Sequence, residues 1–131
     1  MSDLPELSKA EHSVASVLWK HGPLSVREVH NQLHSETHWA YTTTKTVMDR
    51  MVNKSLLARE KFHGVNLYKA VVSRPRGLAR MVHYFARQVL NADYDSVIAM
   101  FSGKDSISDS ERAKLRALLK QLDKESQAKN D

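Results

Sequence analysis

The sequence predicts a mainly α-helical protein with one small β-hairpin, organised as an N-terminal winged helix-turn-helix domain followed by a helical region. Three Ser-x-x-Glu patterns, which begin at Ser8, Ser25 and Ser108, each precede apolar residues at three- and four-residue steps. This is the pattern of a capped amphipathic helix. A single turn signal, His63-Gly64, separates two short runs that are typical of paired strands.

Composition limits the function classes. The chain has 131 residues, which suits one domain or a small domain with an appendage, and its formal net charge of +5 favours a polyanionic partner. It has no cysteine, no apolar run that could span a membrane, and no signal-peptide pattern at the N-terminus. We therefore expect a cytoplasmic protein without membrane insertion. No phosphate loop, nucleophile elbow or dinucleotide fingerprint is present, so we expect neither an enzyme nor a cofactor.

The first three predicted helices lie within 55 residues. The first begins at Ser8 and ends at His21-Gly22-Pro23, because glycine suits the end of a helix and proline cannot continue it. The second begins at Ser25, and the polar stretch 35–38 is interpreted as a turn. The third begins near Tyr41. Two helices joined by a short turn, with the later one exposed, is the helix-turn-helix order.

The third helix, residues 41–55, has two different faces. One side carries apolar residues and a threonine: Thr44, Val47, Met48, Met51 and Val52. The other side carries Thr42, Thr46, Asp49, Arg50 and Asn53, with Thr43 and Lys45 at the margins. Hydroxyls and cations can bind phosphates and base edges in a DNA major groove. The alternative, an ordinary solvated amphipathic helix, fits this stretch equally well.

The hairpin that follows predicts a wing. Strands around His63-Gly64, placed directly after a helix-turn-helix, make residues 1–72 a winged-helix domain. Lys61 and His63 are candidate phosphate contacts, although ordinary solvation of a hairpin would explain them too.

The sequence of residues 73–125 predicts a helical dimerisation region, followed by a frayed tail at 126–131. Three apolar stripes occur in a segment that is too small for much of a core of its own. Packing on the winged-helix domain could cover them, but pairing with a second copy is more economical and would present two DNA-reading helices. The candidate dimerisation residues are Leu78, Met81, Val82, Phe85, Val97, Phe101, Leu115, Leu118, Leu119 and Leu122.

A series of histidines offers a candidate metal site. His30, His34 and His38 recur every fourth residue, and two of them could share a helix face as ligands do. No cysteine or carboxylate completes a set, so solvated helix-face histidines without metal are the default interpretation.

The ordered set of motifs resembles the penicillinase-repressor family of the BlaI/MecI type, to which copper-responsive repressors also belong. The resemblance covers roughly residues 7–124 and includes Leu7-Ser8-x-x-Glu11, Val26-Arg27-Glu28-Val29, the stretch 39–57, Gly64 with Tyr68, and Ile107-Ser108-x-x-Glu111. It implies a homodimeric winged-helix repressor of a palindromic, dyad-symmetric promoter operator in double-stranded DNA. By this resemblance Thr42, Thr43, Lys45, Thr46 and Arg50 correspond to positions of the DNA-reading helix, and the wing reaches the DNA backbone. The full set of candidate DNA-binding residues adds Lys54, Lys61 and His63.

The resemblance also raises proteolytic derepression as part of an antibiotic response. Antibiotic-responsive members are cleaved just before a Phe in the dimerisation region, in a process that depends on a membrane sensor-protease. Met100-Phe101 matches that place, with Met where those repressors typically have Asn. The simpler interpretation of Phe101 is a core residue at helical spacing. The Cys-rich metal motif of the copper-responsive branch is absent from this sequence.

One alternative function stays open from sequence alone. A non-enzymatic helical protein-interaction module with only non-specific nucleic-acid affinity would also be basic and helical. Such a module would not need an exposed threonine-rich helix face.

Overall fold

The computed structural model describes residues 4–102 and 107–130. In chain order these contain α1 Lys9–His21, α2 Val26–Thr37, α3 Tyr41–Asn53, β1 Leu57–Phe62, β2 Val65–Ala70, α4 Arg74–Tyr84, a π-helical turn Phe85–Val89, α5 Tyr94–Ser102 and α6 Asp109–Asn130. The chain divides into a first unit, Leu7–Ser73, and a second unit made of the N-terminal residues up to Glu6 and the chain from Arg74 onward. The mainly helical fold with one hairpin is confirmed.

The three predicted helix starts are confirmed as capping boxes. In the first box the backbone N–H of Glu11 donates to Ser8 Oγ at 3.1 Å, and the N–H of Ser8 donates to Glu11 Oε1 at 2.8 Å. The same reciprocal pair forms between Ser25 and Glu28 and between Ser108 and Glu111. Each box satisfies backbone donors that a helix N-terminus leaves without an intrahelical partner.

The first unit is a winged helix. α1, α2 and α3 pack with the hairpin around a core whose most buried members include Val14, Val29, Met48, Met51 and Tyr68. β1 and β2 pair antiparallel with Phe62 opposite Val65, and the two turn residues between them, His63 and Gly64, both have positive φ. This is the geometry of a two-residue hairpin turn whose twist matches the strands. Leu24 adds a β-bridge to Tyr68.

Three element ends differ from the sequence predictions. α2 runs to Thr37, where a turn from residue 35 was predicted, because His38 takes a left-handed conformation and its N–H closes the helix on His34 O at 2.9 Å. α4 passes into a π-helical turn. α6 continues to Asn130, so the described residues 126–130 are helical where a frayed tail was predicted. No helix in the described ranges is both long and apolar enough to cross a bilayer.

The second unit covers its own apolar stripes. Six of the predicted dimerisation residues are buried within a single chain: Leu78, Val82, Val97, Leu115, Leu119 and Leu122. Met81, Phe85 and Leu118 are half-buried, and the side chain of Phe101 lies outside the described residues. The large apolar side chains that stay exposed here are Tyr84, Val89, Leu90 and Met100. A second copy is therefore not required to cover these six residues. Any dimer interface of this unit would instead involve the exposed apolar residues.

A polar cluster around Asp123 joins the helices of this unit. Its carboxylate accepts from Tyr94 Oη at 2.7 Å, from Arg87 Nη2 at 3.1 Å and lies 3.2 Å from His83 Nε2. Burial, reinforced by the hydrogen bond to Asp123, raises the pKa of Tyr94 to about 12. The cluster ties α4, the π-helical turn and α5 to α6.

Candidate nucleic-acid interface

α3 separates its buried and exposed residues as the sequence predicts. Thr44, Met48 and Met51 are completely buried, with no measurable exposure. The five residues of this helix that the resemblance assigns to DNA are all exposed: Thr42, Thr43, Lys45, Thr46 and Arg50. The exposed face therefore consists of hydroxyls and cations along roughly two and a half turns of the helix.

The start of α3 has no side-chain cap. Its N-cap residue is Ala40, whose carbonyl accepts from the N–H groups of Thr43 and Thr44. Thr42 does not cap the helix. Arg27 of α2 lies with its guanidinium carbon 4.1 Å from the centre of the Tyr41 ring, a cation–π contact. Arg27 is not among the residues that the sequence predicts for this site, because only the packing of α2 on α3 brings it here.

His30 of α2 packs against the buried side of α3. It is 8% exposed, and its Nδ1 lies 2.8 Å from Thr44 Oγ1. The Tyr41 ring stands edge-on to it, and the rings of His30 and His34 are 5.2 Å apart. The default interpretation of His30 as a solvated residue is therefore wrong, because its imidazole packs between two helices. Within the described residues no group of three or more potential ligands could hold a metal ion.

Asp49 collects three donors on the side of α3 that meets the hairpin. Its carboxylate accepts from Lys45 Nζ at 2.7 Å, Tyr68 Oη at 2.8 Å and Arg59 Nη1 at 3.1 Å. Burial alone would raise the pKa of Asp49, but the hydrogen bonds from Lys45 and Tyr68 outweigh it and hold the pKa below its usual value. Of the two cations of α3, Lys45 is the one that pairs with Asp49. Tyr68 and Arg59 are partners that the sequence did not indicate.

The two cations of α3 differ in their surroundings. Lys45 is bonded to Asp49, which raises the pKa of Lys45, yet its side chain remains 55% exposed. Arg50 is exposed, and within the described part of the chain its side chain makes no hydrogen bond or ion pair. Arg50 is therefore the cation of this helix that can bind a ligand without breaking an internal contact.

Lys54 already has an internal partner. Its Nζ lies 2.8 Å from Oε2 of Glu11, whose side chain is only 8% exposed. Burial raises the pKa of Glu11, but hydrogen bonds from Lys54 and Ser8 lower it more, so the net shift is downward. The DNA contact of Lys54 stays a prediction, and it would compete with this ion pair.

The wing tip is basic and partly apolar. Lys61 and His63 are both exposed, and the His63 ring stands edge-on to Phe62 with their centroids 4.3 Å apart. Phe62 itself is 60% exposed. Because side chains alternate along a strand, Lys61 lies on the same face of the hairpin as Arg59, the face that meets α3. The wing cations therefore continue the charged surface that begins on the helix.

Three packed helices, the third of which has an exposed polar face, and a two-stranded wing define a winged-helix protein. The family model for the penicillinase repressor matches residues 7–121. The chain belongs to this family.

Its similarity to individual proteins extends over most of the chain. It is 26% identical to the penicillinase repressor of Bacillus licheniformis, over 92% of this chain and 94% of that protein. It is 23% identical to the methicillin resistance regulatory protein MecI of Mammaliicoccus sciuri, over 87% and 93%. The solution structure of monomeric Bacillus licheniformis BlaI in complex with the blaP half-operator superposes with a TM-score of 0.51 at 29% identity, over 58% of this chain and 93% of that one.

Proposed function

We propose that this protein is a DNA-binding transcriptional repressor that binds a dyad-symmetric promoter operator as a homodimer, with α3 in the major groove. The observation that carries the proposal is the exposed face of α3, where all five predicted contact residues point away from the core while Thr44 points into it. This face has no other role in the fold of the described residues, apart from the pair that Lys45 makes with Asp49.

The chemistry of this face suits a base edge and a phosphate. The guanidinium of Arg50 can donate two parallel hydrogen bonds to guanine or bind a phosphate oxygen. Threonine offers a hydroxyl for phosphates and bases and a methyl group for the thymine methyl. Short side chains also let the helix backbone approach the floor of the groove. At the wing, Lys61 and His63 would bind phosphates beside the groove.

The relatives support the repressor role. The BlaI structure shows a relative of this chain on a half-operator, and the names of the relatives describe regulators of penicillinase and of methicillin resistance. Transferred to this chain, these properties suggest that it represses genes of an antibiotic response. Because a repressor must reach promoter DNA to bind it, we expect this protein to act in the cytoplasm.

The proposal is tested by titrating the purified protein against the duplex upstream of its own gene and against a scrambled duplex, at two salt concentrations. Tight, selective binding with a steep salt dependence is expected, because each neutralised phosphate contributes a slope of about 0.9 in log K against log salt. Footprinting would then give the spacing of the half-sites. Equal, weak binding to both duplexes, and to duplexes selected from a random pool, would favour the interaction-module alternative.

Arg50→Ala tests the face itself. We expect operator affinity to fall by about 5- to 150-fold, since a good Arg contact to a base contributes about 1–3 kcal/mol. Thermal unfolding should be unchanged, because Arg50 is exposed and its side chain makes no described internal bond. The matched control is Lys114→Ala, which removes an exposed cation from α6. Equal effects of the two variants would mean that only net charge matters.

Proteolytic derepression at Met100-Phe101 remains a proposal. The bond lies in α5, and Met100 is 65% exposed. A protease binds an extended segment, so the end of α5 would have to unwind before cleavage. Mass spectrometry of the protein from cells treated with a β-lactam would detect a fragment ending at Met100. An intact chain in derepressed cells would argue against both the cleavage and the membrane sensor-protease.

A further inference from the structure

Asp49 places a carboxylate at the edge of the surface that we assign to DNA. DNA carries a phosphate charge about every 1.7 Å along its axis, so a carboxylate on this surface should weaken binding. On electrostatic grounds alone, its removal should therefore increase affinity. The contacts of Asp49 indicate the opposite.

The carboxylate joins the three elements that form the candidate interface. Lys45 belongs to α3, Arg59 to β1 and Tyr68 to β2, and all three donate to Asp49. Tyr68 is 1% exposed, so its ring is fixed in the core and its hydroxyl holds the carboxylate in one place. The burial of Tyr68 and its bond to Asp49 raise the pKa of the phenol, which keeps the hydroxyl a donor at neutral pH.

From these contacts we propose that Asp49 is a positioning residue for DNA binding, which fixes the wing relative to α3 and orders Lys45 and Arg59 as a pair of cations. The inference rests on the proposed function. The Asp49 side chain bonds to residues of α3, β1 and β2, and a side-chain hydrogen bond between Arg59 and Tyr68 completes the cluster. Two cations and one carboxylate leave the cluster with one net positive charge toward DNA.

The cluster would favour DNA binding because Asp49 orders the side chains of Lys45 and Arg59 before DNA binds. Lysine and arginine lose rotamer freedom when a bound complex fixes them, and a restraint already present in the free protein reduces that loss. Lys45 is 55% and Arg59 44% exposed, so both remain accessible to phosphate while Asp49 restrains them. Lys61 lies two residues beyond Arg59, about 7 Å along the strand, so a small change at the cluster would move Lys61 relative to the phosphates.

Two variants separate positioning from charge. Asp49→Asn keeps the shape and removes the charge, and Tyr68→Phe keeps the buried ring and removes the hydroxyl. We expect each to lower the affinity for the operator, and the ratio of operator to scrambled binding, by at least about fivefold, which corresponds to roughly 1 kcal/mol. Glu60→Gln is the matched control, because it removes a carboxylate from β1 on the face away from Asp49.

The salt dependence gives a readout that a loss of stability alone would not change. If Lys45 and Arg59 lose their positions, the slope of log K against log salt should become shallower by about 1–2 in Asp49→Asn, although the variant is more cationic. Tighter binding or an unchanged slope, with selectivity retained, would overturn the positioning role. If Asp49→Asn is unfolded by circular dichroism, Tyr68→Phe decides by the same criteria. A wild-type protein without selectivity would instead contradict the proposed function, so the two failures are distinguishable.

Discussion

Thr44 lies among four threonines within five residues, yet it is the one that is fully buried. Its hydroxyl is bonded to His30 Nδ1, and its neighbours Thr43 and Lys45 are exposed. A buried hydroxyl without a partner would destabilise the fold, as would a buried imidazole. The pair satisfies both groups at the contact between α2 and α3.

Thr44→Val should therefore destabilise the protein more than the small change in side-chain volume suggests. Valine fills the same space but leaves His30 Nδ1 without a partner, at a cost of about 1–3 kcal/mol in the free energy of unfolding. Urea denaturation of the full chain measures the difference. The control is Thr43→Val, an exposed neighbour, for which a change within about 0.5 kcal/mol is expected. A similar change in both variants would mean that the buried bond contributes nothing specific.

Periodicity predicts the faces of a helix but not the partners of the buried residues. The three- and four-residue steps correctly separated Thr44 and Met48 from Arg50. The Lys45–Asp49 pair could be anticipated because the two residues lie one turn apart. The bond between His30 and Thr44 spans 14 residues and the one between Lys54 and Glu11 spans 43. Such pairs depend on how the helices pack, which local patterns do not specify.

At the scale of the elements, an ion pair between Glu11 and Lys54 connects α1 to the C-terminal end of α3. Glu11 completes the capping box of α1 and also binds Lys54, the residue that caps α3. The same carboxylate thus stabilises a helix start and positions the helix that we assign to DNA. This contact gives Lys54 a structural role beside any contact with phosphate.

Lys54→Met should lower stability in a pH-dependent way. Because the pKa of Glu11 is lowered in the folded state, the pair contributes stability above the unfolded pKa of about 4.3, and this is lost as pH falls through the folded value. We expect a loss of about 1 kcal/mol at neutral pH, since Lys54 is largely exposed. The difference should vanish in acid.

Thermal unfolding of wild type and variant at neutral and acid pH measures this dependence. Lys69→Met, which removes an exposed cation from β2, is the control. An equal destabilisation of Lys54→Met at both pH values would contradict the ion-pair explanation.

Helix starts were more predictable than helix ends. A Ser-x-x-Glu pattern specifies a local hydrogen-bond pair, and all three patterns formed it. The end of α2 depends on His38 adopting a positive φ, and the end of α4 depends on a π-helical turn. Neither requires a glycine or proline, so neither leaves a signal in the sequence.

At the scale of the whole molecule, the buried stripes of the second unit change where a partner could bind. Leu115 and Leu119 have no measurable exposure, whereas Tyr84, Val89 and Leu90 are 56%, 51% and 43% exposed within seven consecutive residues. Exposed apolar residues grouped in this way are typical of an interaction site. A two-fold dimer through this surface would present two copies of α3 to two half-sites.

Val89→Glu should therefore convert a dimer to a monomer. In a two-fold interface the substitution occurs twice, and each copy would bury a carboxylate against apolar surface, which is costly without a partner. Sedimentation equilibrium measures the dissociation constant. Val71→Glu is the control, because Val71 is 58% exposed but lies in the first unit. A dimer that tolerates Val89→Glu would place the interface elsewhere, and a monomeric wild type would contradict dimerisation. The monomeric variant could still bind a single half-site through α3. In that case the decrease in its affinity for the full operator measures how much of that affinity depends on pairing.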